Sequence, residues 1–62
     1  MNRFMVTATY LNGELIFSGI TNFIPHKGEE FIVRNRSYFV HHVIYTVVEG
    51  NCNAMPVKIL LA

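Results

Sequence analysis

The 62 residues predict an all-β fold, a small and strongly bent barrel or roll of five strands in a single domain over residues 1–62. Three observations carry that expectation. Residues 31–48, FIVRNRSYFVHHVIYTVV, are rich in β-branched and aromatic side chains and hold neither Gly nor Pro, the composition of strands. Turn signals punctuate the chain at short spacing: Asn12-Gly13, Pro25 to Gly28, Asn35-Arg36 and the Gly50 to Asn53 stretch. No segment sustains a 3.6-residue apolar period long enough for a helix.

Residues 4–11 alternate, with Phe4, Val6, Ala8 and Tyr10 on one face and Met5, Thr7, Thr9 and Leu11 on the other. Asn12-Gly13 is a strong two-residue hairpin signal, and residues 14–20 form the returning strand. A two-residue turn sets the register. It places Tyr10 opposite Leu15, Ala8 opposite Phe17 and Val6 opposite Gly19 on the core face. It puts Thr9 opposite Ile16 and Met5 opposite Ile20 outside. Residues 19–28, GITNFIPHKG, form the irregular connection, with Phe23 and Ile24 expected to fold back onto the body.

Residues 29–34 are the third strand and 37–48 the fourth, joined at Asn35-Arg36. That turn sets Val33 against Tyr38 and Phe31 against Val40 inside, and Ile32 against Phe39 outside. Unbroken alternation would then bury His42. A β-bulge at His41-His42 is expected instead, because one extra residue returns Val43, Tyr45 and Val47 to the core and leaves Ile44 and Val48 outside. Residues 57–61, apolar apart from Lys58, are the last strand. Their near-continuous apolar run implies cover on both faces.

Apolar residues make up 52% of the chain and charged residues 15%. A domain this small hides only about 60% of its unfolded surface, so a homo-oligomer is expected to cover the remainder. The outward positions Met5, Ile16, Ile20, Ile32, Phe39 and Ile44 are the candidate interface. A net charge of +1 lacks the basic stripe of an electrostatic nucleic-acid binder. No uncharged run is long enough for a membrane-spanning helix. The single Cys52 excludes an internal disulfide and suits a reducing, cytoplasmic setting.

The spacing Pro25-x-x-Gly28-Glu29-x-Phe31-x-Val33, followed by Tyr38-x-Val40-x-x-Val43, resembles the signature of small SH3-like barrels, common as short products of bacteria and their phages. The resemblance covers about the central third of the chain and implies a five-stranded SH3-like barrel, here homo-oligomeric. In size, in lacking a catalytic motif and in expected self-association, the chain is also similar to the anti-CBASS nucleotide sponges of phages. That second resemblance implies an immune-evasion protein, encoded by a phage and acting in the cytoplasm of its bacterial host, that sequesters a cyclic nucleotide without cleaving it. No residue role is carried over from it.

The residues offer no enzyme. His41 and His42 are adjacent on a strand, and with His26 and Cys52 they lack the paired spacing of a zinc site; polar edge or interface positions account for them. Cys52 sits in an Asn-flanked turn with nothing nearby to activate it. Glu29 and Glu30 face opposite ways on a strand and do not form an acid–base pair. No cofactor or metal is expected. Arg34 and Arg36 at a hairpin tip suit a solvated turn, but guanidinium groups also clamp phosphate, and the outward Phe23 and Phe39 can stack on a base. The candidate ligand residues are therefore Phe23, His26, Lys27, Arg34, Arg36, Phe39, His41 and His42, with a cyclic dinucleotide as ligand. Two alternatives come from other classes: a module binding a host or phage protein through its outer apolar face, and a small accessory barrel for nucleic acid. The weak net charge counts against the latter.

Overall fold

A computed structural model describes residues 3–50 and 53–62. Five strands form one sheet: β1 (Phe4–Tyr10), β2 (Leu15–Thr21), β3 (Glu30–Val33), β4 (Arg36–Tyr45) and β5 (Met55–Leu61). Their spatial order is β2-β1-β5-β4-β3. Two hairpins, β1–β2 and β3–β4, flank the C-terminal strand. β5 runs parallel to β1 and antiparallel to β4. No helix among the described residues is long and apolar enough to cross a membrane.

β5 is covered on one face only, and the expected cover on both faces is not present in the single chain: Lys58 is exposed on its outer face and Pro56 and Leu60 there are half-buried. Val57, Ile59 and Leu61 are fully buried, opposite Val6 and Ala8 of β1 on one side and Val40 and Val43 of β4 on the other. Ile16 and Tyr38 complete the buried core, and Phe4, Phe17, Ile24, Phe31, Val33 and Val43 pack around it. The sheet curls so that its two outer strands approach each other across the open side of a half-barrel. Side chains, rather than a ladder, join them there. The Phe17 and Phe31 rings meet edge to face at 6.3 Å, and Arg34 Nη2 donates to the Ile16 carbonyl at 2.8 Å. Gly19 makes room for this seam: a Cβ there would lie 3.1 Å from Phe17 Cζ, so the ring folds over bare backbone.

The first turn differs from expectation. Tyr10 N–H donates to the Glu14 carbonyl and Gly13 N–H to the Tyr10 carbonyl, both at 2.8 Å. The loop thus holds three residues, Leu11, Asn12 and Gly13. Gly13 supplies a positive φ of 93°, while the Asn12 side chain accepts from the Glu14 N–H at 3.0 Å. Pairing runs regularly from Phe4↔Thr21 to Ala8↔Phe17, then Thr9 meets Leu15, leaving Ile16 as the extra residue of a bulge. Ile16 consequently turns inward and is 5% exposed, while Leu15 and Tyr10 are exposed. Ile16 is removed from the outward interface set, because the bulge exchanges it with Leu15.

The second turn also moves. Arg34 and Asn35 take φ of 50° and 65°, the left-handed pair of a two-residue hairpin turn. It pairs Val33 with Arg36, Ile32 with Ser37, Phe31 with Tyr38 and Glu30 with Phe39. The displacement from the expected pairing is two residues, so every side chain keeps its face. Asn accepts this conformation readily, whereas Arg does so rarely, and for that reason the sequence points one residue too late.

The bulge at His41-His42 is present: Val40 pairs with Leu61 and His42 with Leu60, with His41 unpaired between them. Val43 is half-buried and Ile44 and Val48 are exposed. Tyr45 pairs with Val57 and so shares the core face, but it lies at the open end of the curl and is exposed. Val47 lies beyond the end of β4 and is 90% exposed; its expected burial is corrected, because β4 ends before it can pair. The turn containing Asn51 and Cys52 lies outside the described residues.

Candidate functional site

The pleat of the strands sorts the outer face. Met5, Ile20, Ile32, Phe39 and Ile44 are exposed there, but they do not form one surface. Ile20, Met5 and Pro56 stand side by side across β2, β1 and β5. Phe39 and Ile32 lie toward the other end, on β4 and β3. Thr7, Thr9, Lys58 and His42 occupy the rows between, together with Ile44 and the half-buried Leu60. The outer face therefore has an apolar cluster at each end and a mixed polar and apolar band between them.

The two arginines of the β3–β4 tip part company. Arg34, the first turn residue, reaches β2 and spends one guanidinium nitrogen on the Ile16 carbonyl. Arg36, the first residue of β4, faces the other side and lines a cleft of about 340 Å³ at the end of the half-barrel. The expected two-arginine clamp is thus divided between two clefts. The Arg36 cleft is walled by Tyr10 and Tyr38, whose rings meet edge to face at 6.0 Å, and by Asn12, Glu14 and Ser37. The first hairpin positions it: the three-residue loop carries Asn12, and Tyr10 and Glu14 close that loop through main-chain bonds. Ser37 is held by its hydroxyl against the Glu30 carboxylate.

The other candidate residues fall elsewhere. Phe23 and Arg34 line a second cleft along the seam with Phe17 and Phe31. Phe23 and His26 line an adjoining one. His26 is engaged locally, with its N–H donating to Glu29 Oε1 and its Nδ1 lying 3.3 Å from the same oxygen. Lys27 is exposed on the turn that ends at Gly28, whose φ is 90°. Phe39, His41 and His42 are exposed on β4 and line none of these clefts. Among the described residues, no three His, Cys, Asp or Glu side chains gather as metal ligands.

Sequence reasoning missed Tyr10, Tyr38, Asn12 and Glu14 as a group. They come from the first hairpin and from β4, which β5 brings to one end of the sheet by pairing parallel with β1 and antiparallel with β4, and no local spacing encodes that placement. The chemistry of the group is legible once assembled. A guanidinium offers paired donors to an anionic oxygen, tyrosine rings offer stacking faces with hydroxyl tips, and an amide, a hydroxyl and a carboxylate supply donors and acceptors of both kinds. No family model, curated protein or solved structure matches this chain.

Proposed function

We propose that this chain is a non-enzymatic binding protein that sequesters a cyclic nucleotide second messenger, with the Arg36 cleft as its half of the binding pocket. The observation that carries the reading is the placement of Arg36 beside the Tyr10–Tyr38 pair. In this arrangement Arg36 takes a phosphate, a tyrosine face takes the base, and Glu14 accepts a ribose hydroxyl. Asn12 and Ser37 read the remaining polar edge.

The cleft is open on one side, and a second copy supplies the missing wall in this reading. Two whole-chain quantities support self-association. The exposed surface is 4627 Å², against about 4,100 Å² for a compact monomer of this mass. The radius of gyration is 11.6 Å, against about 10.6 Å for a compact chain of this length. The oligomer is assigned to the outer positions Met5, Ile20, Ile32, Phe39 and Ile44. The kinship with SH3-like barrels, rested on the Pro25 to Val43 pattern, and a phage-encoded, anti-defence role in a bacterial cytoplasm belong to the same reading.

A thermal-shift panel of cyclic di- and trinucleotides, with single-stranded DNA as comparison, tests it. A ligand at a thousandfold excess over Kd adds about 4 kcal/mol of stability, a large fraction of what a domain this size possesses. The expected result is a shift with one cyclic nucleotide that Arg36→Ala removes and Lys27→Ala retains. Absence of any shift across the panel would return the chain to the protein-partner reading.

A further inference from the structure

A groove runs along the unpaired side of β3, and its walls are suited to main chain rather than to a compact small molecule. The register of the β3–β4 hairpin fixes which groups line it. The two-residue turn makes Val33 and Arg36 a hydrogen-bonded pair, and Val40 N–H donates to the Glu29 carbonyl at 2.9 Å. The alternate residues Glu30 and Ile32 therefore direct their N–H and C=O groups away from β4. Among the described residues no turn or loop bond takes these groups. The Glu30 carboxylate is drawn back over the sheet by the Ser37 hydroxyl, so it does not guard the edge.

Opposite this edge stand β2 and the chain at Phe23 to His26. Two adjoining cavities of about 480 Å³ each lie between, sharing Phe23, Phe31 and Ile32. Phe17, Phe31 and Val33 line the inner side of the seam, and Ile32 and Phe23, 65% and 59% exposed, form its outer lip. Arg34 stands at the end where β2 and β3 are tied together, and among the described residues its guanidinium makes no hydrogen bond or ion pair beyond the one to Ile16.

We infer that this groove receives an extended peptide as a sixth strand, paired to the main chain of Glu30 and Ile32. Alternate apolar side chains of the peptide pack against Phe17, Phe31 and Val33, the intervening residues pass under the outer lip at Phe23 and Ile32, and a carboxylate, terminal or side-chain, meets Arg34. Strand addition to an exposed edge draws affinity from main-chain bonds and specificity from alternate side-chain pockets. A second copy fits the groove less well: its own β3 is attached to β4, whereas the groove is walled on both sides. The inference goes beyond the nucleotide reading, because the Arg36 cleft and the groove share no residue.

The test is fluorescence polarisation with a panel of labelled heptapeptides in which Thr alternates with Val, Ile, Leu, Phe or Tyr and the last residue is Glu. Each has a control of the same sequence N-methylated at alternate main-chain positions. The expected result is saturable binding of at least one peptide and a loss of tenfold or more on N-methylation. Phe23→Ala weakens binding fivefold or more. Ile32→Pro weakens it tenfold or more, since Pro removes an N–H that points away from β4 and is tolerated at an edge. On saturation, hydrogen exchange at the Glu30 and Ile32 amides slows. Equal binding of parent and N-methylated peptides would overturn the inference, as would no binding by any panel member at about 1 mM. Protection of the Glu30 and Ile32 amides from hydrogen exchange in the peptide-free protein, lost on dilution to monomer, would assign the groove to a second copy and overturn it equally.

Discussion

Arg34 combines a left-handed backbone conformation with a side chain that spans the open side of the sheet. Its φ of 50° is one that a non-glycine residue adopts at a cost, and its Nη2 bond to the Ile16 carbonyl joins β3 to β2. Arg34→Ala keeps the strained backbone and loses the tie. It is expected to lower stability by about 1 kcal/mol, the net worth of a typical intramolecular hydrogen bond, read as a lower urea midpoint with an unchanged slope. Arg34→Gly loses the same bond but relieves the backbone, and is expected to lose less. Arg36, two residues on, makes no such tie among the described residues. Arg36→Ala is expected to leave the urea midpoint within about 0.5 kcal/mol of the parent while removing nucleotide binding. The two residues are indistinguishable in the sequence, where both flank Asn35, and only the position of the turn separates their roles.

At the scale of elements, β5 determines what the hairpins can do. It is the last strand in the chain and lies centrally in the sheet, between β1 and β4. Ile59→Ala removes a fully buried side chain between them and is expected to cost about 2–5 kcal/mol. The whole domain is expected to have roughly 3–9 kcal/mol at 0.05–0.15 kcal/mol per residue, so this variant loses a large fraction of that and melts well below the parent by circular dichroism. Lys58→Ala on the exposed side is expected to stay within about 0.5 kcal/mol. The bulge at His41 is tested by deletion. Removing His41 exchanges the faces of Val43 and Ile44 and should abolish cooperative unfolding, whereas His41→Thr retains the bulge and the fold.

These elements also show where the sequence is legible. Five strands, the inward set Val6, Ala8, Val40 and Val43, and the His41-His42 bulge follow from period-two alternation, because a half-buried strand must alternate and a long one that must bend needs an extra residue. The Ile16 bulge was not legible. Leu15 and Ile16 are equally apolar, so pattern cannot say which is inside; the three-residue loop closed by Gly13 decides it. The displaced Arg34-Asn35 turn escaped for a related reason, since a two-residue slip preserves every face and leaves no trace in the pattern. The Tyr10–Tyr38–Arg36 cleft was hidden more deeply, because it depends on β1 and β5 lying parallel, a pairing between the two ends of the chain.

For the whole molecule, the excess of exposed surface and the extended radius fit a half-barrel in which, among the described residues, apolar clusters on the outer face, the β3 groove and the Arg36 cleft are uncovered. The oligomer part of the account is tested by light scattering coupled to size exclusion. The parent is expected to elute above monomer mass at micromolar concentration, and Met5→Lys combined with Ile20→Lys is expected to shift it to monomer with its circular dichroism unchanged.

The most direct test of the central claim, that the Arg36 cleft holds the ligand, is a ¹H–¹⁵N NMR titration of the intact chain with the cyclic nucleotide panel. The account predicts saturable shifts concentrated at Asn12, Glu14, Arg36, Ser37 and Tyr38, absent in Arg36→Ala and small along Glu30 and Ile32. Shifts confined to the seam around Phe23 and Arg34, or none with any cyclic nucleotide, would contradict it.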